Sequence, residues 1–268
     1  MDLARICRET IAIVKETGMF LRNEVQAFDK VNIEYKGSTH NLVSYVDKEA
    51  EKQLVLKLTE LIPEAGFITE EGTVTKYSET LNWIIDPLDG TTNFIHGLRI
   101  FCVSVALVQG NQPLVGVVYE PNLDECFYAW HGGGAFCNDQ PIRTSGATLL
   151  EHSLISTGFP YSLAGKITTH LTILQEFVLQ SHGIRRLGAA AVDLAYVACG
   201  RVEGFYEYNL KSWDMAAGVL LVTEAGGKVT DFNGGDGYLF GGQLIAAAAD
   251  IHTPMRELIG LHWQQAGM

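Results

Sequence analysis

The chain has 268 residues, 47% of them apolar and 19% charged, with 19 Lys and Arg against 31 Asp and Glu for a formal charge of −12. That length and apolar content exclude a disordered chain and a small disulfide-stapled domain, and admit one large α/β body or two tightly joined halves. The acidic balance excludes general binding of nucleic-acid phosphate, whose charge the mean field repels, while a phosphorylated small molecule stays open wherever a local cation cancels the charge.

In chain order, Leu3, Ile6, Ile11, Val14, Leu21 and Val25 recur at helical spacing and predict a long helix over 2–27. Its opening stretch, MDLARICRETIAIVKETG, is broken by charge every few residues, unlike a signal peptide or a membrane span. A second helix is predicted from Val46 to Ile62, with Ala50, Leu54, Leu58 and Leu61 on one face and Pro63 as its stop. Short apolar runs at 66–68 and 83–85 then read as strands, each finishing on acidic residues. Segments 101–108 and 113–119 form a predicted hairpin around Gly110-Asn111-Gln112; 125–130 extends the meander, and His131-Gly132-Gly133-Gly134 is expected to break it. Beyond that, helical patterns at 168–180, 190–199 and 213–224 alternate with strand-like segments at 184–187, 202–208, 228–232 and 243–248. A last helix is expected to follow Thr253-Pro254, with the threonine as cap and the proline in the first turn. The change of texture predicts two layered subdomains, residues 1–145 and 146–268, joined within about 140–155.

The five cysteines (Cys7, Cys102, Cys126, Cys137, Cys199) are odd in number, widely spaced and free of any Cys-x-x-Cys pair. They read as buried small apolar groups in a reducing compartment, and not as a zinc site or disulfide framework. The expectation is a cytoplasmic protein without membrane association.

Acid groups gather at three strand or helix ends: Phe67-Ile68-Thr69-Glu70-Glu71-Gly72, the string WIIDPLDGTTNF over 83–94, and Trp213-Asp214-Met215-Ala216-Ala217-Gly218. In the second, an apolar strand delivers Asp86 to its end, and Pro87 is expected to stop ladder pairing there. Asp89 follows three residues on, so the turn can aim both carboxylates at one point, and Gly90 permits a tight path into Thr91-Thr92-Asn93. Two carboxylates held that close repel unless a cation lies between them, and an all-oxygen shell suits a hard divalent ion, chiefly Mg²⁺. Amides after Asp89 could form a nest for phosphate. Taken alone, Asp-Pro-x-Asp-Gly is more often an Asx turn.

The three strings, in this order, resemble the inositol monophosphatase family, one of the lithium-sensitive, magnesium-dependent phosphatases that also include fructose bisphosphatases and phosphoadenosine phosphate 3′-phosphatases. The likeness runs from about Lys36 to Gly242. It implies an α+β, α/β layered sandwich of αβαβα order. It implies two or three Mg²⁺ ions held by Glu70, Asp86, the Leu88 carbonyl, Asp89 and Asp214, with Asp86 bridging. Glu70 also counts among the catalytic residues it implies, beside Thr91 and Asp47, which would handle a metal-activated water. Gly90, Thr91 and Thr92 would hold the phosphate, and Asp89, Ala190, Glu207 and Asp214 would meet the substrate. The implied substrate is a small phosphorylated polyol, foremost myo-inositol 1-phosphate; a fructose bisphosphate or phosphoadenosine phosphate is the alternative. The resemblance further implies a homodimer, and some bacterial relatives bind the transcription machinery, which leaves a non-enzymatic partner role as a second reading.

The chain departs from the family at Asn41-Leu42-Val43-Ser44, where Asp-Leu-Val-Thr is usual, and at Gly188-Ala189-Ala190-Ala191, where Gly-Ser-Ala-Ala is common. Other signals are weaker. His131-Gly132-Gly133-Gly134 is similar to a lipase oxyanion loop, but no Gly-x-Ser-x-Gly elbow accompanies it. The Asp231-to-Gly237 segment lacks the twelfth-position glutamate of a calcium loop and reads as a glycine-rich turn. Arg185-Arg186 reads as an anion contact or as part of a subunit interface.

Overall fold

The computed structural model describes residues 1–27, 33–35, 42–159 and 166–263. Lys36 and Asn41 lie outside the described residues. The first half contains α1 (Leu3–Ala27), the paired strands β1 (Ile33–Tyr35) and β2 (Leu42–Ser44), α2 (Tyr45–Leu61), β3 (Gly66–Thr69), β4 (Leu81–Asp89) and the short α3 (Thr91–His96). It continues as a meander of β5 (Cys102–Gln109), β6 (Gln112–Glu120), β7 (Glu125–Trp130), β8 (Gly134–Cys137) and β9 (Gln140–Ile142). The second half runs β10 (Leu154–Thr157), α4 (Ile167–Gln180), β11 (Gly183–Arg185), α5 (Ala190–Ala198), β12 (Gly204–Tyr208) and α6 (Ser212–Glu224). It ends with β13 (Lys228–Thr230), α7 (Tyr238–Gly241), β14 (Gln243–Ala247) and α8 (Ala249–Trp263).

Strands β3 to β9 form one seven-stranded sheet in chain order, with β3 and β4 parallel and the remaining pairs antiparallel. The other sheet has five strands in the order β11-β10-β12-β14-β13, parallel through β12 and antiparallel beyond it. Alternation along each strand assigns side chains to three separate cores. On β5, Val103, Val105 and Leu107 join a core with α1 and α2 residues such as Val14, Leu21, Leu54 and Leu58. Cys102, Ala106 and Val108 of the same strand face a second core shared with α5 and α6. On β12, Phe205 enters that second core, whereas Tyr206 and Tyr208 enter a third with Phe177 of α4 and Ile251, Met255 and Ile259 of α8. The layers are therefore helices, sheet, helices, sheet, helices, the αβαβα sandwich that the sequence implies.

The middle helical layer packs closely where its residues, or those facing it, are glycine. A Cβ on Gly116 of β6 would stand 2.8 Å from the Ala217 carbonyl of α6, and one on Gly218 would stand 2.5 Å from the Leu194 side chain of α5. The Ala216-Ala217-Gly218 run after Asp214 thus serves close packing of α6 against sheet and helix.

Three sequence expectations are corrected. Pro87 does not end the ladder: β4 pairs with β5 through Asp86↔Ser104, slips register, and pairs again at Asp89↔Cys102. A bulge accommodates a residue without an N–H and re-aims the strand at its end. His131-Gly132-Gly133-Gly134 does not break the meander but turns it, since Trp130 pairs with Gly134 and the sheet continues into β8 and β9. The last helix starts at Ala249, so Pro254 lies inside it and not in its first turn. The buried stripe Ile251, Met255 and Ile259 spans the proline, and burying it outweighs one missing backbone bond. Three of the cysteines are buried, whereas Cys137 and Cys199 are half-buried; all five are free. Among the described residues, no helix is long and apolar enough to cross a membrane.

Gly116→Ala should destabilise the fold by about 1–3 kcal/mol, because the clash is with backbone and only separation of α6 from β6 relieves it. Urea unfolding followed by circular dichroism measures this; an unchanged midpoint would contradict the packing account.

Candidate active site

The acidic segments come from different elements and meet where the two sheets face each other across α5 and α6. An open cleft of about 560 Å³ is lined by Glu70, which follows β3, by Asp86, Leu88 and Asp89 of β4, by Gly90 and Thr91, and by Asp214 of α6. Ala190 at the start of α5 and Glu207 of β12 close the far side. Thr92, half-buried in the first turn of α3, and Asp47, buried behind Thr91, are not among the lining residues.

Local chemistry fixes each group. The Leu88 N–H donates to Asp86 Oδ1 at 3.0 Å, an Asx-type bond set by the bulge. Gly90 adopts φ +94°, and a Cβ there would lie 3.0 Å from the Ile100 carbonyl, so glycine alone turns the chain into α3. Thr91 Oγ1 stands 3.0 Å from both Asp47 Oδ1 and the Leu88 carbonyl, and its single proton serves one of them at a time. Asp89 reaches across to α5, where the Ala191 N–H donates to its Oδ2 at 2.6 Å. Because Ala189 caps α5 without a side-chain bond, Asp89 acts as its remote N-terminal carboxylate. Asp214 caps its own helix, accepting the Lys211 N–H at 2.6 Å. Each aspartate is thus anchored by a backbone N–H, and a carboxylate has room for further partners. Asn93 fastens the two halves: its Nδ2 donates to the Ile100 carbonyl at 2.7 Å and to the Leu187 carbonyl at 2.8 Å.

The cleft concentrates like charges out of water, and the carboxyls respond by holding protons. Asp86 is pushed well above the ordinary carboxylate range by burial, then by the charges of Glu70, Asp89 and Asp214. A side-chain hydrogen bond with Glu70 adds to the rise. Burial raises Asp89 to about 7 against the lowering pull of the Ala191 N–H. Burial, and then the charge of Asp89, raises Asp214 to about 7 as well.

On the opposite wall, Ala190 and Glu207 stand where the resemblance implies, and Asp193 is a cleft residue that no motif marks. Arg186 lines the cleft, whereas Arg185 does not. Asp193 also lines it, almost wholly buried in the apolar helix α5, with Oδ1 lacking a hydrogen-bond partner. Burial lifts both Asp193 and Glu207 well above the usual range, and the Arg186 charge works against the rise. A Cβ on Gly158 would sit 1.9 Å from Glu207 Oε2, so that glycine makes room for the carboxylate. One signal was available: a lone acid in the otherwise apolar AAVDLAYVA.

The donor set can be tested against a divalent cation. The lining offers carboxylates and carbonyls and, among the described residues, neither histidine nor cysteine. That is the hard-oxygen chemistry that Mg²⁺ prefers, and the charges of Glu70, Asp89 and Asp214 that raise Asp86 mark a place where positive charge is favoured. Among the described residues, no three His, Cys, Asp or Glu side chains stand close enough to form a finished shell, as befits groups that repel one another. The residues fit the cation by chemistry and by charge.

The profile of the inositol monophosphatase family matches residues 2–265. The chain is 41% identical to an inositol-1-monophosphatase of Mesorhizobium japonicum over 245 residues, 91% of this chain and 92% of that protein. It is 42% identical to the Nus factor SuhB of Pasteurella multocida over 215 residues, 80% of each. Among solved structures, the extragenic suppressor protein suhB from Bartonella henselae superposes with a TM-score of 0.88 at 38% identity, covering 94% of this chain and 97% of that one.

The raised carboxyls carry a sign for stability. A group at about 7 when folded, like Asp89 or Asp214, and near 4 when unfolded, contributes stability that is complete below the unfolded value and lost as pH rises through 7. Asp86, also raised, follows the same sign. Metal-free protein should therefore melt lower at pH 8 than at pH 5. Asp86→Asn should raise the pH 8 midpoint by roughly 2–4 °C, the shift that about 1 kcal/mol produces in a chain of this size, with little gain at pH 5. A pH 8 midpoint lower for Asp86→Asn than for wild type would contradict the crowding of charge described above.

Proposed function

The chain belongs to the inositol monophosphatase family, and on that premise we propose that it is a Mg²⁺-dependent phosphomonoesterase acting on myo-inositol 1-phosphate or a closely related polyol phosphate. One observation carries the reading: Glu70, Asp86, Leu88, Asp89, Gly90, Thr91 and Asp214 line a single cleft with Glu207, and Asp47 backs Thr91 from behind. Family membership implies phosphatase chemistry; substrate, metal and residue roles are the proposal.

Glu70, Asp86, the Leu88 carbonyl, Asp89 and Asp214 would hold two or three Mg²⁺ ions. Once bound, Mg²⁺ supplies neutralisation of the phosphate charge and acidification of water, the largest contribution that monoester hydrolysis requires. The chain's own residues do the rest. Amides of Gly90, Thr91 and Thr92 hold phosphate oxygens at the turn into α3. Thr91 Oγ1 orients the attacking water, and the carboxylate of Asp47 or Glu70 receives its proton. The P–O ester bond breaks in line, and the leaving oxygen takes a proton from solvent. Ala190 leaves space for the ring while Asp89, Asp214 and Glu207 accept its hydroxyls, adjacent hydroxyls being what a carboxylate reads best. Residues 1–145 would contribute most of the metal and phosphate groups, and residues 146–268 the substrate wall. Arg186 is the cation through which a second phosphate could bind, and a fructose bisphosphate is therefore the alternative substrate to assay. Phosphoadenosine phosphate is the third.

The likeness to a protein named Nus factor SuhB favours a second role, in which the chain also serves a transcription partner. A homodimer and a cytoplasmic location complete the proposal, with no general affinity for nucleic acid.

Phosphate release from inositol 1-phosphate should require Mg²⁺ and fall with Li⁺, and Asp86→Asn or Asp214→Asn should lower kcat at least about 100-fold with the fold retained. Wild-type rates in either variant at saturating Mg²⁺ would overturn the metal assignment. Glu207→Gln should raise KM for inositol 1-phosphate about 10-fold, the effect of losing hydrogen bonds to a charged acceptor, and faster turnover of fructose 1,6-bisphosphate than of inositol 1-phosphate would replace the substrate. A transcription phenotype that survives in an Asp86→Asn strain would separate the partner role from catalysis.

A further inference from the structure

The buried stripe of α2 changes character along its length. Its last turns bury Leu54 and Leu58, as an amphipathic helix should, but its first turns bury two acids, Asp47 and Glu51, one turn apart. Glu51 has no exposure. Its carboxylate serves the loop that follows Glu70: Oε2 accepts the Glu71 N–H, and Oε1 accepts both the Thr73 N–H and the Thr73 hydroxyl, all at 2.7 Å. These bonds join residues 20 and 22 positions apart and give a turn at the sheet edge the partners that a ladder would otherwise supply. One turn earlier on the same face, Asp47 Oδ1 lies 3.0 Å from Thr91 Oγ1. A single helix face therefore grips both segments that bring oxygen donors from the first sheet: the loop of Glu70, and the Asp86-to-Thr91 turn. Burying an acid is costly unless its oxygens are hydrogen-bonded, and both oxygens of Glu51 are engaged by the Glu70 loop.

We propose that Glu51 is a positioning residue. By fixing the backbone on the far side of Glu70, it sets where that carboxylate stands relative to Asp86, and α2 holds the two segments in a common register. The inference rests on Glu70 as a metal ligand and assigns Glu51 no contact with metal or substrate. Support of this kind around a metal site is worth about 10- to 100-fold in metal affinity.

The test uses Glu51→Gln in the full chain, since an amide keeps the shape but offers one acceptor oxygen where two are engaged. Mg²⁺ titrated calorimetrically into metal-free protein should bind about 10-fold more weakly than to wild type, with the circular dichroism spectrum unchanged. Hydrogen exchange at Glu71 and Thr73 should accelerate in the metal-free variant. In phosphate-release assays the half-saturating Mg²⁺ should rise by the same factor, while kcat at saturating Mg²⁺ changes by less than about threefold, a split that a general loss of structure does not produce. Thr73→Val removes one bond at an exposed residue and should weaken Mg²⁺ binding about threefold, which keeps the test in force should Glu51→Gln fail to fold. Unchanged amide exchange, or unchanged Mg²⁺ affinity despite faster exchange, overturns the role of Glu51. If wild-type protein binds no Mg²⁺, the metal reading of Glu70 fails first and this inference falls with it.

Discussion

Like charges held together away from water are the constraint around which this structure is arranged. Asp86, Asp89, Asp214, Asp193 and Glu207 converge on the seam between the two sheets, and each is pushed towards its protonated form by burial before any neighbour is counted. Such a cluster opposes folding, so each surrounding feature that fixes an acid offsets part of that cost. The offsets are backbone N–H groups: Leu88 for Asp86, Ala191 for Asp89, Lys211 for Asp214. Two of those N–H groups lie at helix starts, where a carboxylate also satisfies orphan donors. The acids stabilise the helices that present them, and the helices hold the acids at one point.

The layering explains why that point is a cleft. Two sheets separated by a thin helical layer leave strand ends and helix starts facing one another along one edge. Gly116 lets β6 approach the backbone of α6, and Gly218 leaves room on α6 for the Leu194 side chain of α5. Asn93 then fastens the β4–α3 turn to the residues that lead into α5. Loops at this edge inherit the rigidity of the sheets, which is how a scaffold can place oxygen donors from separate elements. A net charge of −12 takes a different meaning in this light. Part of it is turned inward, since Glu70, Asp86, Asp89, Asp193, Glu207 and Asp214 all line one cleft.

Much of this was legible in the sequence. Periodicity located the long first helix, α2 and the β5–β6 hairpin, and the strand-like segment 202–208 put Glu207 near a strand end. The string WIIDPLDGTTNF carried its own chemistry, because an apolar run, a proline, two acids and a glycine within nine residues already describe a strand that ends in a turn bearing oxygen. Local rules failed where tertiary burial outweighed them. Pro254 reads as a helix start, but Ile251, Met255 and Ile259 bury together and carry the helix across it. Pro87 reads as the end of a strand, but β5 continues alongside and the ladder resumes beyond a bulge.

The sequence by itself determined the fold class, the family and which residue types gather at the ends of elements, since those follow from short-range pattern and from strings of adjacent residues. Only the tertiary structure decided which distant groups meet. Glu51 lies in no motif, and its bonds to Glu71 and Thr73 exist only once α2 has packed on the first sheet. Arg186 and Asp193 became cleft residues by the same route, and Asp89 became the cap of a helix that begins 101 positions later, one residue short of the N–H it holds across a separation of 102. The physical reason is that a proton's affinity for a carboxyl, or a backbone amide's choice of acceptor, depends on what surrounds it in space, and that surrounding is assembled from segments whose separation along the chain carries no local signal.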